Sequence, residues 1–198
     1  MKICLFGGSF DPVHTGHLRM AAEARQQLAL DKVFFLPAAR SPFKAEGSTM
    51  FPDAARLRIL QAATAELPWA EVSDADLRLP PPSWSWRIVE HFINQYPQAE
   101  LYWLLGTDQW EQLHRWARAD YLMKHLTFII YHRGNTTLSP RANARHVSLE
   151  GALHPASSAA IRQAIRQGAP LPDGWIPPAA HPLIEQEIRL LQQGAHLG

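Results

Sequence analysis

Two histidines three positions apart, His14 and His17, follow a pair of glycines near the start of the chain. The glycines, Gly7 and Gly8, let a backbone turn sharply and approach a bound molecule closely. The histidines lie where a helix-compatible stretch begins, and the free N–H groups and dipole of a helix N-terminus favour an anion. Glycines, paired imidazoles and a helix start within residues 6–17 therefore indicate a site for polyphosphate chemistry.

Alternating strand-like and helix-like segments are expected to position this stretch. Residues 2–6 and 32–36 are β-branched or aromatic runs, and helically spaced apolar residues between them complete a β–α–β unit, which favours a parallel sheet. Further strands are predicted at 101–105 and 126–131, and helices at 54–66, from 83 or 85 to about 95, at 157–167 and at 182–193. The pattern predicts a single-domain α/β fold with a doubly wound, Rossmann-like parallel sheet and helices on both faces.

Length and composition limit the classes of protein that fit. With 198 residues the chain is long enough for one domain with a sizeable core, and two full domains are not expected. The net charge of +1 gives no overall field that would attract nucleic acid or a membrane surface. No secretory leader or membrane-spanning apolar run is present in the sequence, so a cytoplasmic location is expected. The histidines form no tight metal-ligand cluster, which argues against a zinc site.

The order of residues in the opening stretch resembles a known motif. Residues 6–17 are similar to the GGxFDPxHxGH element of the nucleotidylyltransferase superfamily, and the whole chain most resembles its bacterial nicotinate mononucleotide adenylyltransferases. A tight turn in which His14 and His17 only cap or pack would explain the glycines, but not two histidines at this spacing. The resemblance implies that both histidines are catalytic and that ATP is contacted by Gly7, Gly8, Ser9, Phe10 and Gly16.

A second segment resembles the GxD element of the same family. Gly106 and Asp108 follow the predicted strand at 101–105. In the family this element lies along the nucleotide, so the resemblance implies that Asp108 contacts the adenosine part. The alternative is that Asp108 only caps a helix.

A third segment resembles the family's ISSTxIR element, in which a helix start and its arginine hold the triphosphate. Ser157 and Arg162 match this element, whereas Ala159 stands where the family has threonine, so one hydroxyl is missing. A capped amphipathic helix with a solvated arginine is the alternative. By this resemblance a helical segment at about 155–195 completes the ATP site of a single domain over residues 1–198.

The segments that resemble the acceptor pocket depart from the family pattern. Lys44, expected to contact phosphate, lies in a loop similar to a PPHK element, with Phe43 in place of the histidine. Trp84 and Ser85 replace the tyrosine and threonine of a PSYT element that lines the nicotinate pocket. Trp116 matches a tryptophan that stacks on the pyridine ring, although a core tryptophan is an equal alternative.

Taken as a whole, the resemblance implies transfer of the adenylyl group of ATP to nicotinate mononucleotide. Pyrophosphate would leave, deamido-NAD would form, and Mg²⁺ would bridge the triphosphate. The altered pocket leaves nicotinamide mononucleotide or another phosphorylated acceptor open, as it does a nucleotide-binding sensor without catalysis. A Rossmann dehydrogenase would carry a GxGxxG turn, which residues 6–17 lack. The oligomeric state also stays open, a homo-oligomer included.

Overall fold

The structure is a computed structural model that describes residues 1–40, 49–133, 138–141, 143–151 and 154–195. Within these residues it contains six strands: β1 (Lys2–Gly8), β2 (Lys32–Pro37), β3 (Ala70–Val72), β4 (Glu100–Gly106), β5 (Thr127–Arg133) and β6 (Arg145–Gly151). The helices are α1 (Thr15–Leu28), α2 (Asp53–Thr64), α3 (Ala75–Arg78), α4 (Ser85–Gln95), α5 (Thr107–Glu111), α6 (Ala119–His125), α7 (Ser158–Arg166) and α8 (His181–Ala195). Two short 3₁₀ turns, Leu113–Arg115 and Pro178–Ala180, precede α6 and α8.

All six strands form one parallel sheet in the order β3-β2-β1-β4-β5-β6. The chain begins in the middle of the sheet, runs outward through β2 and β3, and then returns to the other side of β1 with β4. The register places Leu5 of β1 between Phe34 of β2 and Trp103 of β4. This order confirms the predicted doubly wound, Rossmann-like sheet, in which ligands bind where the strand order reverses.

Helices cover both faces of the sheet because buried residues of the central strand alternate in direction. Cys4 and Phe6 of β1 belong to a core that also contains residues of α1, α2, α7 and α8. Ile3 and Leu5 belong to a second core, together with residues of α4, α5 and α6. Successive side chains of a strand point to opposite faces, so one uninterrupted apolar run contributes to both cores. Cys4 is fully buried, and this burial strongly raises the pKa of its thiol.

The two strands at the edges of the sheet are absent from the sequence-based prediction, as are the short helices α3, α5 and α6. β3 has only three residues, each of them half-buried. β6 carries exposed charged residues, Arg145 and Glu150 among them. Short or charged strands protect a sheet edge against aggregation, and they lack the apolar run by which a buried strand is recognised.

Gly151, the last residue of β6, lies against the ring of Tyr131 on β5. A Cβ atom at this glycine would lie 1.8 Å from Tyr131 Cζ, and the Tyr131 hydroxyl donates a hydrogen bond to Glu23 of α1 at 2.8 Å. Gly151→Ala should therefore displace the ring and lower the free energy of unfolding by about 2 kcal/mol, measured by urea denaturation. Ser148→Ala, at an exposed position of the same strand, is the control. Equal stability of the two variants would contradict this close packing.

Candidate active site

A cavity of about 800 Å³ lies at the carboxyl ends of β1 and β4, where the strand order reverses. This volume is typical of sites that bind small molecules. Gly8 ends β1 and Gly106 ends β4, so the loops after these strands form its walls. Eleven residues predicted from the sequence line it: Gly7, Gly8, Ser9, Phe10, His17, Trp84, Ser85, Gly106, Asp108, Trp116 and Arg162.

The other predicted residues lie elsewhere. His14 is buried beside the cavity without lining it, and Gly16 gives its ring room, since a Cβ there would lie 3.0 Å from His14 Nδ1. Ser157 is also absent from the lining, and its hydroxyl caps the start of α7. Lys44 and Phe43 fall outside the described residues.

The histidine pair belongs to the N-terminus of α1. His14 is the N-cap residue, and Nδ1 of His17, one turn later, accepts its backbone N–H at 3.2 Å. The two ring centroids are 3.7 Å apart. A ring nitrogen that accepts a hydrogen bond carries no proton, so the proton of a neutral His17 lies on Nε2. His17 therefore brings an N–H donor to the cavity, close to the positive end of the helix dipole.

Close packing explains two of the glycines that line the cavity. A Cβ atom on Gly7 would lie 2.9 Å from Cζ2 of Trp103, and one on Gly106 would lie 2.8 Å from Oδ1 of Asp108. Real Cβ atoms do not approach other heavy atoms so closely. The glycines therefore let Trp103 and Asp108 lie against the ends of the two central strands.

The start of α7 is fixed to the loop that follows β1. Ser157 caps the helix by accepting the N–H of Ala160 at 3.1 Å. The Ser158 hydroxyl donates to the carbonyl of Pro12 at 2.9 Å, and Arg162 Nη1 donates to the carbonyl of Asp11 at 2.7 Å. These bonds hold the guanidinium of Arg162 at the cavity, although Arg162 lies 151 residues after Asp11 in the sequence. Arg162 lines the cavity, and its role in holding a triphosphate stays a prediction.

Asp11, which the sequence prediction does not include, holds the loop before α2 against the same site. Its side chain is 2% exposed. Its Oδ1 accepts the N–H of Phe51 at 2.9 Å, and its Oδ2 accepts the N–H of Met50 at 2.8 Å. Oδ2 also lies 3.7 Å from Arg162 Nη1. This carboxylate thus couples three segments of the wall, and only its position inside the opening motif could have drawn attention to it.

Arg56 of α2 is a fully buried cation under the loop after β1. Its Nη1 donates to the carbonyl of Ser9, and its Nη2 donates to the carbonyl of Ala38 at 2.7 Å and to Asp53 at 2.7 Å. Ser9 and Ala38 both line the cavity. An arginine in an amphipathic helix is ordinarily solvated, so the sequence offers no signal for this role.

Three tryptophans and two serines line another part of the cavity, which we call the tryptophan half: Ser83, Trp84, Ser85, Trp103 and Trp116. Trp116 packs edge-on against Trp103, with ring centroids 5.9 Å apart at 80°. The guanidinium of Arg118 lies 4.5 Å from the ring centroid of Trp86, which joins the segment after Trp116 to the start of α4. Flat aromatic faces in a partly enclosed space are suited to a flat heterocycle.

An anion that enters the cavity meets the ring of His17, in the first turn of α1 and near the positive end of the helix dipole, and the guanidinium of Arg162. Helix N-termini and arginine are the common means of binding phosphate. In a sheet of this strand order, such a site defines an α/β protein of the nucleotidyltransferase class. The chain belongs to the cytidylyltransferase-like family, whose sequence model matches residues 5–164.

Relatives within this family share most of the chain. A protein of Methylacidiphilum infernorum named "Probable nicotinate-nucleotide adenylyltransferase" is 35% identical over 177 residues, which are 86% of this chain and 83% of the relative. A Bacteroides thetaiotaomicron protein of the same name is 34% identical over 83% of this chain and 82% of its own length. The Plasmodium falciparum nicotinic acid mononucleotide adenylyltransferase, solved with NaAD, covers 93% of this chain and 95% of that one, with a TM-score of 0.73 at 17% identity. The last comparison supports the fold.

Proposed function

We propose that this protein is a nicotinate-nucleotide adenylyltransferase, which joins ATP and nicotinate mononucleotide to form deamido-NAD and pyrophosphate in NAD biosynthesis. The observation that carries the proposal is that one cavity is lined both by His17 and Arg162, which can bind phosphate, and by the tryptophan half. Two substrates bound there would meet at the ends of β1 and β4. The names of the relatives support the same reaction.

The reaction requires alignment and charge stabilisation more than covalent help from the protein. An oxygen of the acceptor phosphate attacks the α-phosphorus of ATP, the new P–O bond forms, and the bond to the bridging oxygen of the β-phosphate breaks. His17 is assigned to donate from Nε2 to the α-phosphate as negative charge develops. The backbone N–H of His14 holds Nδ1 of the His17 ring. The His14 side chain stays a prediction as the second catalytic histidine at the α-phosphate. Arg162 is assigned to the phosphates that leave as pyrophosphate.

A divalent cation is consistent with the nucleotidyltransferase family, and we propose Mg²⁺. No group of three or more His, Cys, Asp or Glu side chains in the described part of the chain is arranged to hold a metal ion. Mg²⁺ commonly keeps several waters and binds substrate phosphates with few protein ligands, so this site fits a cation that enters with ATP. Bound there, it would neutralise the triphosphate. Asp108 is one of three aspartates that line the cavity, and the family resemblance implies that it lies beside the nucleotide.

The tryptophan half is assigned to the pyridine nucleotide. Trp116 would present a face to the pyridine ring while Trp103 holds it from the side. Trp84 and Ser85 complete the wall. Lys44 stays a prediction for the acceptor phosphate, and so do the absence of nucleic acid partners, the single domain and the cytoplasmic location. Among the described residues, no helix is both long and apolar enough to span a membrane.

The proposal predicts which acceptor the enzyme prefers. With ATP and Mg²⁺, nicotinate mononucleotide should give a higher kcat/KM than nicotinamide mononucleotide, measured by pyrophosphate release and by chromatography of the dinucleotide. Higher turnover of the amide would assign the protein to the alternative acceptor. Calorimetric binding of ATP without pyrophosphate release from any acceptor would overturn the enzymatic function and leave a nucleotide sensor.

A further inference from the structure

A buried carboxylate connects two loops at the edge of the tryptophan half. Asp76, on the short helix α3, is 4% exposed and lines the cavity. Its Oδ2 accepts the backbone N–H of Ala39, in the loop after β2, at 3.1 Å. It also forms a side-chain hydrogen bond with Ser83, directly before Trp84. One side chain therefore contacts both the loop after β2 and the segment that begins α4.

Ser83 and Arg40 complete this connection through backbone groups. The N–H of Ser83 donates to the carbonyl of Arg40 at 2.8 Å, and the N–H of Arg40 donates to Ser83 Oγ at 3.0 Å. The Ser83 hydroxyl thus accepts from one loop and donates its own proton to the Asp76 carboxylate. We call these four residues, Ala39, Arg40, Asp76 and Ser83, the loop clamp.

The placement of Asp76 is costly for a residue with a purely structural role. Burial raises the pKa of its carboxyl, and the hydrogen bonds from Ser83 and Ala39 oppose that shift. The charges of Arg56 and Arg87 act in the same direction as these bonds. A carboxylate without a directly bonded counter-charge is expensive to bury, and an apolar residue could fill the same space. The ionised form is nevertheless the one that accepts from both loops.

We propose that Asp76 is a positioning residue for the acceptor, which holds the tryptophan half in its binding shape through the loop clamp. The inference rests on the proposed function, since it assigns this half to the pyridine nucleotide. Ser83 precedes two lining residues, Trp84 and Ser85, so release of the clamp changes the wall directly. The groups assigned to ATP, His17 and Arg162, belong to other segments and keep their own bonds.

The clamp predicts a selective effect on one substrate. Asp76→Leu, close in size but without acceptors, should raise the KM for nicotinate mononucleotide about tenfold, equivalent to ~1.4 kcal/mol. The KM for ATP should change less than about twofold, a shift of under ~0.5 kcal/mol. Asp76→Asn should recover only part of the loss, because its oxygen can still accept from Ala39, whereas its amide group does not accept the proton of the Ser83 hydroxyl. Asp173→Asn, an exposed carboxylate, is the matched control.

The pH dependence of the acceptor KM separates a positioning role of Asp76 from the role of a core residue that only fills space. The raised pKa means that Asp76 takes up a proton at a higher pH than an exposed aspartate does. The protonated form loses acceptor capacity, so the wild-type acceptor KM should rise as the pH falls towards that pKa. Asp76→Asn cannot titrate, and its acceptor KM should rise less. Since both enzymes use the same acceptor, its own phosphate titration cancels in the ratio.

A double-mutant cycle and amide exchange complete the test. Ser83→Ala should raise the acceptor KM as well, and the double variant should be little worse than Asp76→Leu, because both changes break one network. Amide exchange by NMR should show faster exchange at Ala39 and Ser83 in Asp76→Leu. An equal rise in both KM values, additive effects, or unchanged exchange would overturn the inference. An inactive wild type with faster exchange in the variant would instead overturn the proposed function alone.

Discussion

Replacing His17 with alanine should lower kcat by about a hundredfold or more, the cost typical of losing one transition-state donor. His17 lines the cavity, and because its Nδ1 accepts the N–H of His14, the donor of the neutral ring is Nε2. Removing the ring deprives the α-phosphate of this donor when its charge increases. The KM for ATP should change much less, because the other groups assigned to the nucleotide remain. Steady-state rates measured over a range of ATP concentrations at saturating nicotinate mononucleotide give both quantities.

The same side chain also stabilises the start of α1, so a second variant must separate the two roles. His17→Gln places at this third helical position a residue that commonly accepts the N-cap N–H. It should therefore retain the helix start and the melting temperature, yet lose turnover because the imidazole donor is gone. His91→Ala, at an exposed position of α4, is the control for removal of a histidine. Near wild-type kcat in a folded His17→Ala variant would contradict the catalytic assignment.

The central sheet could be predicted from the sequence because its strands are buried on both faces. β1, β2, β4 and β5 are apolar runs with turn residues at their ends, and each was predicted within two residues of its observed start. β3 and β6 lie at the edges of the sheet, where each strand pairs with one neighbouring strand only. Short or charged sequences are tolerated there. Their pattern depends on position in the sheet, which local sequence does not contain.

Site residues divide in a similar way. His17 and Gly7 belong to one contiguous motif, and the capping role of Ser157 is a local property, so short-range patterns suffice to find them. Arg56 and Asp76 act across the fold: each bonds to backbone groups more than 15 residues away in sequence. No spacing rule identifies such partners. Only the three-dimensional structure shows that these two charged side chains support the walls of the cavity.

Of these two charged side chains, Arg56 should contribute more than Asp76 to the free energy of unfolding. Arg56→Met keeps the length of the side chain but leaves the carbonyls of Ser9 and Ala38 without their donor. Breaking a buried charged interaction typically costs 3–5 kcal/mol, so we expect the free energy of unfolding to fall by about 3 kcal/mol. Asp53, the ionic partner, is half exposed and can be solvated, which keeps the loss at the lower end of that range. Urea denaturation followed by circular dichroism measures it.

The same variant should impair function in a way that distinguishes it from Asp76→Leu. Because Arg56 bonds to the loop after β1 and to the end of β2, both the KM for ATP and the KM for the acceptor should rise. Arg56→Lys, with one ammonium in place of a planar fork, cannot reach all three oxygen partners and should recover only part of the stability. Arg189→Met, at an exposed position of α8, should change neither stability nor KM. A fully stable Arg56→Met variant would mean that water replaces the guanidinium, and would remove Arg56 from the support of the site.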